Sequence, residues 1–274
     1  MKENKDYTNS LVSIIMNCHN GAEYLKDAIS SVYDQTYQNW EIIFWDNAST
    51  DDSANIVRTF DKKIKYFKSS IKTSLGAARN SAISKAQGSL IAFLDVDDLW
   101  LPHKLTSQLP LFNYDDNIGL VFSDTNFFYD KRILKNIYSK YKPPRGYIFS
   151  QLLSNYFISL ETVIVKREAL ESLETLFDER LSASEETDLF LRIAYKWKLD
   201  YVDEPLAKWR INENSFTHKN WGAFYQEIEI ILDKLRFLIS NFDSHYREQI
   251  TLLEEKKLFQ KSIHLWKDGK KSEA

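Results

Sequence analysis

Cysteine is nearly absent from this chain: Cys18 is the only one in 274 residues. No intrachain disulfide can form, and no charged, apolar leader opens the sequence, so a reduced, cytoplasmic compartment is expected. Cys18 itself is expected to pack at the end of a strand, since nothing around it would depress its pKa. Long hydrophobic runs are missing as well. None approaches the ~20 residues that span a bilayer, which excludes spanning but leaves peripheral contact at the inner face of a membrane open. There is no excess of positive charge: the formal net charge is -3, without a Lys/Arg run that could track a phosphate backbone. Nucleic acid is therefore not an expected partner. Internal repeats and low-complexity segments are also lacking.

What remains is ordinary globular material, 43% hydrophobic and 27% charged, enough to bury a sizeable core. The first hundred residues alternate short β-branched runs with longer helical patterns, the mark of a βαβαβαβ unit with helices on a parallel sheet. "LVSIIMNC", "WEIIFWD", "KIKYF" and "SLIAFL" read as strands. Between them, Ala22, Leu25, Ala28, Ile29 and Val32 keep helical spacing, "STDDSANIVRTF" opens with Ser49 or Thr50 as N-cap, and "SLGAARNSAISKAQG" closes on Gly88 as C-cap. Beyond Trp100 the rhythm loosens. An amphipathic stretch from His103 to Leu111, a strand "IGLVFSD", a loop at Pro143 and Pro144, a strand "ETVIVK" and a helix "SEETDLFLRIAYKW" follow. "LDYVDEPLAKWRI" reads as one or two strands interrupted at Pro205, and the residues after Trp221 as two amphipathic helices. The expected organisation is a main domain over 1–218, with halves at 11–102 and 103–218, and a helical appendage over 219–274.

"FLDVDDLW" sets three carboxylates directly after the fourth predicted strand. Ligands bind at the carboxyl ends of strands in open parallel sheets, which favours Asp46 and Asp95 as site residues. A D-x-D pair can offer hard oxygens to Mg²⁺ or Mn²⁺ while leaving coordination sites for phosphate. The same aspartates could simply cap the following helix. A dinucleotide site is disfavoured, because the first strand leads into "NCHNGAEY" and not into a G-x-G-x-x-G turn.

The run "VSIIMNCHNGAEYLKDAISSVYDQTYQNWEIIFWDNASTDDS", followed by "GAARNSAISKAQGSLIAFLDVDDLW", resembles the N-terminal half of the family 2 glycosyltransferases. These GT-A fold enzymes move sugars from nucleotide diphosphate donors. The likeness runs from Val12 to Pro102 and resumes at "EETDLFLRIA", with five motifs in the family's order and spacing. It implies a Rossmann-like mixed, mainly parallel sheet flanked by helices, with a C-terminal helical appendage.

The resemblance also implies roles. Asn20 would begin a nucleotide-binding loop, and Asp46 would hold the uracil or ribose beside Asn47, which with Ala48 replaces the family's acid and glycine. Gly76, Arg79 and Asn80 of "GAARN" would line the nucleotide and diphosphate, Arg79 through charge-assisted hydrogen bonds. Asp95 and Val96 would sit on the ribose side. Asp97, with Asp98 close by, would hold Mn²⁺ or Mg²⁺. Glu186 falls where the family places its aspartate base, with Asp188 and Arg192 following, although acids in a helix first turn also have a bland electrostatic reason to be there. Arg210 would face the diphosphate. Asn212 stands at a family histidine's place, and His218 could substitute for that histidine as ligand.

The implied activity is inverting transfer from a nucleotide diphosphate sugar, most simply a UDP-sugar, to a hydroxyl of a glycan or lipid-linked acceptor in surface polysaccharide synthesis. The alternative is a nucleotide-binding scaffold on the same fold, motivated by Asn47, Glu186 and Asn212. The C-terminal helices are expected to mediate membrane docking or dimerisation.

Overall fold

The computed structural model describes residues 6–130, 132–212 and 221–267. Four strands, β1 (Val12–Cys18), β2 (Trp40–Asp46), β3 (Ile64–Lys68) and β4 (Leu90–Phe93), pair in parallel in the order β3-β2-β1-β4. Helices α1 (Ala22–Tyr33), α2 (Ser53–Val57) and α3 (Leu75–Ile83) connect them. Alternate residues of β1 enter different cores. Ile14 and Met16 pack with Leu25, Ala28, Ile29 and Val32 of α1, whereas Ile15 packs with Ala82 and Ile83 of α3. The period of two along a strand thus meets a helix layer on each face.

The second half departs from the mainly parallel expectation. Further strands are β5 (Leu99–Trp100), β6 (Ile118–Tyr129), β7 (Arg132–Asn136), β8 (Ile164–Lys166) and β9 (Lys198–Arg210). Among the described residues the sheet has nine strands and continues β4-β8-β6-β9-β5, with β7 beside β6. β8 runs antiparallel to both β4 and β6, β5 antiparallel to β9, and β7 antiparallel to β6; only β6 and β9 are parallel. An apolar run such as "IVK" reads the same in either direction, so the sequence carries no mark of this reversal. β9 passes through Pro205 as one strand, and the register against β6 shifts at Ser123–Thr125, opposite that proline. A missing ladder donor is accommodated where the pairing is already irregular.

Local caps also differ from expectation. α3 is capped by Ser74, whose hydroxyl accepts from Ala77 N–H, and ends at Ser84. Gly88 is not its cap; a Cβ there would lie 2.4 Å from Leu11 O, so the glycine permits close passage onto β1. α2 begins after Asp52 and not after Ser49 or Thr50.

The second half also contains the helices α4 (Lys104–Gln108), α5 (Phe149–Ser154), α6 (Arg167–Glu171) and α7 (Glu185–Lys196). The C-terminal helices Trp221–Leu238 and Arg247–Lys267 put Ile231, Leu232, Leu235 and Ile250 into the same core as Phe93, Leu189 and Phe190. No described helix is long and apolar enough to cross a membrane.

Candidate active site

A cleft of about 1060 Å³ opens above the carboxyl ends of β1 and β4. Its floor is the turn after β4, and one wall is the N-terminus of α7. Among the residues singled out in the sequence, Asn20, Arg79, Asp95, Val96, Asp97, Asp98, Glu186 and Asn212 line it. Asp46, Asn47, Gly76, Asn80 and Arg210 do not; His218 lies outside the described residues.

The residues beneath the cleft hold its shape. Asp46 has no exposed surface; its carboxylate accepts from Ser49 N–H at 2.7 Å and Tyr66 O–H at 2.5 Å, with Lys68 at 3.5 Å. Burial opposes its charge, yet those hydrogen bonds and the lysine keep its pKa below the usual carboxylate value. Asn47 clamps Thr73 through both its N–H and C=O. Asn20 and Ala48 take left-handed backbone, φ 56° and 59°. Asn20 Oδ1 accepts from Thr50 N–H at 2.8 Å, which steadies the loop.

"GAARN" acts as a strap. Asn80 donates to Phe177 O at 2.9 Å and accepts from Phe177 N–H at 3.0 Å. Gly76 leaves room for Asp178 O, which would stand 3.1 Å from a Cβ. The Arg79 guanidinium, 3% exposed, donates to Glu185 at 2.5 Å and to Asp95 at 3.1 Å. One buried arginine therefore ties the β4 turn to the start of α7. Burial disfavours its charge, but Asp95, Glu185 and Glu186 outweigh that and raise its pKa. Arg210 performs the matching task from β9: its N–H donates to Asp98 at 2.8 Å, its Nε to Asp97 O at 2.8 Å, and its plane lies over Tyr24. Arg192 closes on Asp188 and on the carbonyls of Thr175 and Leu176.

The cleft has more negative charge than its fixed cations neutralise. Burial and then Asp95 push Asp97 up to about 6. Burial, followed by Glu185, pushes Glu186 up to about 8 despite Arg79. Asp98 is also raised by burial and by Glu161. A divalent cation fits this crowding, because its charge would relieve it. Among the described residues no three His, Cys, Asp or Glu side chains stand ready to enclose a metal. Asp98 already holds Arg210, which leaves Asp97 as the open donor. Few protein ligands with phosphate and water completing the shell is how Mg²⁺ commonly sits, and Mn²⁺ takes similar oxygen ligands.

Glu161 was not singled out from the sequence. It is 3% exposed, lines the cleft and accepts from Ser159 O–H at 2.6 Å through Oε2. A charged residue inside the apolar run "FISLETVIVK" was its only signal. The aromatic pair Phe127 and Trp209, 4.8 Å apart and edge to face, also lines the cleft.

A parallel βαβ half with acids after its strand ends, facing acids on a helix of a mixed half, makes up a GT-A-like fold. Residues 13–173 match glycosyl transferase family 2, and the chain belongs to that family. It is 35% identical over 211 residues to the uncharacterized glycosyltransferase MJ1057 of Methanocaldococcus jannaschii, covering 73% of this chain and 71% of that protein. It is 28% identical over 226 residues to the UDP-Glc:alpha-D-GlcNAc-diphosphoundecaprenol beta-1,3-glucosyltransferase WfgD of Escherichia coli, covering 81% and 86%. The fold matches the mannosyltransferase PcManGT of Pyrobaculum calidifontis, solved with GDP-Man and Mn²⁺, at a TM-score of 0.68 and 17% identity, over 92% of this chain and 72% of that one.

Proposed function

We propose that this glycosyltransferase transfers a sugar, with inversion, from a UDP-sugar to a hydroxyl of a glycan or lipid-linked acceptor used in surface polysaccharide synthesis. The single observation that carries the reading is the pairing of Asp97 with Glu186 across one cleft, their supporting elements tied by Arg79. The UDP-sugar named for the Escherichia coli relative supports the choice of nucleotide.

Glu186 takes the proton of the acceptor hydroxyl as that oxygen bonds to the anomeric carbon from the face opposite the departing UDP. One displacement inverts the configuration and needs no covalent intermediate. Asp97 would hold Mn²⁺ or Mg²⁺, which when bound supplies Lewis-acid stabilisation of charge on the diphosphate. Asn20, Asp95 and Val96 border the nucleotide. Asp46, Asn47, Gly76, Asn80 and Arg210 support them from beneath, and Asn212 closes the rim.

Isothermal titration with UDP, GDP and dTDP, with and without Mn²⁺, tests this. UDP is expected to bind in a Mn²⁺-dependent manner, and Asp97→Ala to lose that dependence. Metal-independent binding, or preference for another nucleotide, would overturn the assignment.

A further inference from the structure

The cleft is charged unevenly. Its floor is acidic, and Arg79 there is already engaged by Asp95 and Glu185. Its outer wall carries a row of three side chains across three strands. Lys135 of β7 pairs with Phe127 of β6, and Phe127 pairs with Trp209 of β9. Directly paired residues project from the same face of a sheet, and all three line the cleft. The Phe127 and Trp209 rings meet edge to face at 4.8 Å, which makes a corner of aromatic surface. The Lys135 ammonium lies 5.3 Å from the Phe127 ring centre, so its charge stays beside that corner. Lys140, just beyond the hairpin, also lines the cleft. Both lysines are exposed, and among the described residues neither meets a carboxylate. The charged residues at the hairpin's turn, Asp130 and Arg132, do not line the cleft.

An aromatic corner suits the C–H face of a pyranose, because ring faces carry partial negative charge and sugar C–H groups partial positive charge. The ammonium groups beside it call for an anion, since a carboxylate makes charge-assisted bonds with them that a hydroxyl does not. We propose that this wall is the subsite of an acceptor sugar bearing a carboxylate, a hexuronic acid. Its ring rests on Trp209 and Phe127, and Lys135 and Lys140 hold its carboxylate. The inference rests on the glycosyltransferase reading above and names one class of acceptor for it. An anionic sugar brought toward Glu186 is repelled by the acids of the floor, and cations at the outer wall oppose that repulsion. The row sits on strands of the mixed half, whereas the residues bordering the nucleotide follow β1 and β4 of the parallel half. That separation assigns the subsite to the acceptor and not to the donor.

Methyl β-D-glucuronide and methyl β-D-glucoside serve as probes, because they differ only in bearing a carboxylate or a hydroxymethyl group on the same ring. Each is titrated by calorimetry, at low ionic strength, into full-length protein saturated with UDP and Mn²⁺. The glucuronide is expected to bind roughly fivefold more tightly or better, as two exposed ion pairs would give. The double variant Lys135→Gln/Lys140→Gln should abolish that preference and leave the glucoside unchanged. Trp209→Ala should weaken both glycosides alike, and Trp209→Phe should recover part of the loss. UDP affinity is expected to stay unchanged in each variant, which reports an intact fold. With UDP bound, equal affinity for the two glycosides, binding of neither, or a preference that the lysine variant keeps overturns this inference alone. UDP-glucuronic acid and UDP-glucose should bind alike, in the wild type and in the lysine variant. A lysine-dependent preference for UDP-glucuronic acid would assign the subsite to the donor sugar and overturn the inference too. Failure of UDP to bind overturns the donor reading and the inference with it.

Discussion

At the scale of single residues, the raised pKa of Glu186 makes a signed prediction. A base works only when deprotonated, so kcat/KM of the wild type should climb with pH as Glu186 loses its proton, toward about 8 in the free protein. Glu186→Gln should lower turnover by ~10²–10⁴-fold, abolish that pH limb and leave UDP affinity intact. Steady-state rates over pH 5.5–9 with a UDP-sugar give the answer; a retained limb would move the base elsewhere. Ala48 offers a second case. It holds φ 59°, where an alanine Cβ is crowded, and the motif it resembles has glycine at that place. Ala48→Gly should therefore be neutral to stabilising by up to ~1 kcal/mol, because relief of the left-handed strain opposes the entropy a glycine loses on folding. A higher urea midpoint with unchanged slope would show it. Loss of more than ~1 kcal/mol would mean that the methyl group packs usefully.

At the scale of elements, the segment 178–183 leads into α7, and the helix Trp221–Leu238 holds that segment. Glu227 accepts from Ser182 N–H and O–H, both at 2.7 Å, and from Ala183 N–H at 3.0 Å. Lys234 reaches Asp178 at 2.8 Å and Asp188 at 2.9 Å. Glu227→Ala should free the approach to α7 and lower kcat ~10-fold or more, since displacements of about an ångström at a base are costly, while UDP affinity is kept. Equal losses in kcat and UDP affinity would indicate a global effect instead. These ties also show why the halves of the chain differ in legibility. β1 to β4 could be read because buried parallel strands and amphipathic helices each leave a strong period, and β2 falls on Trp40–Asp46 as predicted. The direction of β8, the two-residue β5 and the extension of β6 to Tyr129 rest on tertiary pairing, which no local period encodes. The site followed the same rule. The placement of motif residues in the turn after β4, such as Asp95 and Asp97 at the cleft, was legible. The structural work of Asn80 and Arg210, and the presence of Glu161 in the cleft, depend on partners roughly a hundred or sixty residues away.

At the scale of the whole molecule, the acid-lined cleft couples stability to pH and to ligand. Glu186 and Asp97 have folded pKa values near 8 and 6, against ordinary values of about 4.3 and 3.9 in an unfolded chain. Between those limits the folded protein binds more protons than the unfolded one, so these groups favour folding at low pH and lose that contribution as pH rises through 6 and then 8. The fully buried Lys104, which donates to Thr162 O at 2.8 Å, has its pKa lowered by burial and acts in the opposite sense. The clean readout is therefore a difference between proteins. Melting temperature of the ligand-free wild type, compared with Glu186→Gln from pH 5 to 8.5, should fall behind progressively as pH rises, because the variant carries no proton to lose. Mn²⁺ with UDP should raise the wild-type melting temperature most at the alkaline end, where the cleft's charge is least compensated and linkage to a cation is strongest. A wild type and variant that melt in parallel across that range would mean that Glu186 is hydrated and ordinary, and the choice of base would pass to another acid of the cleft.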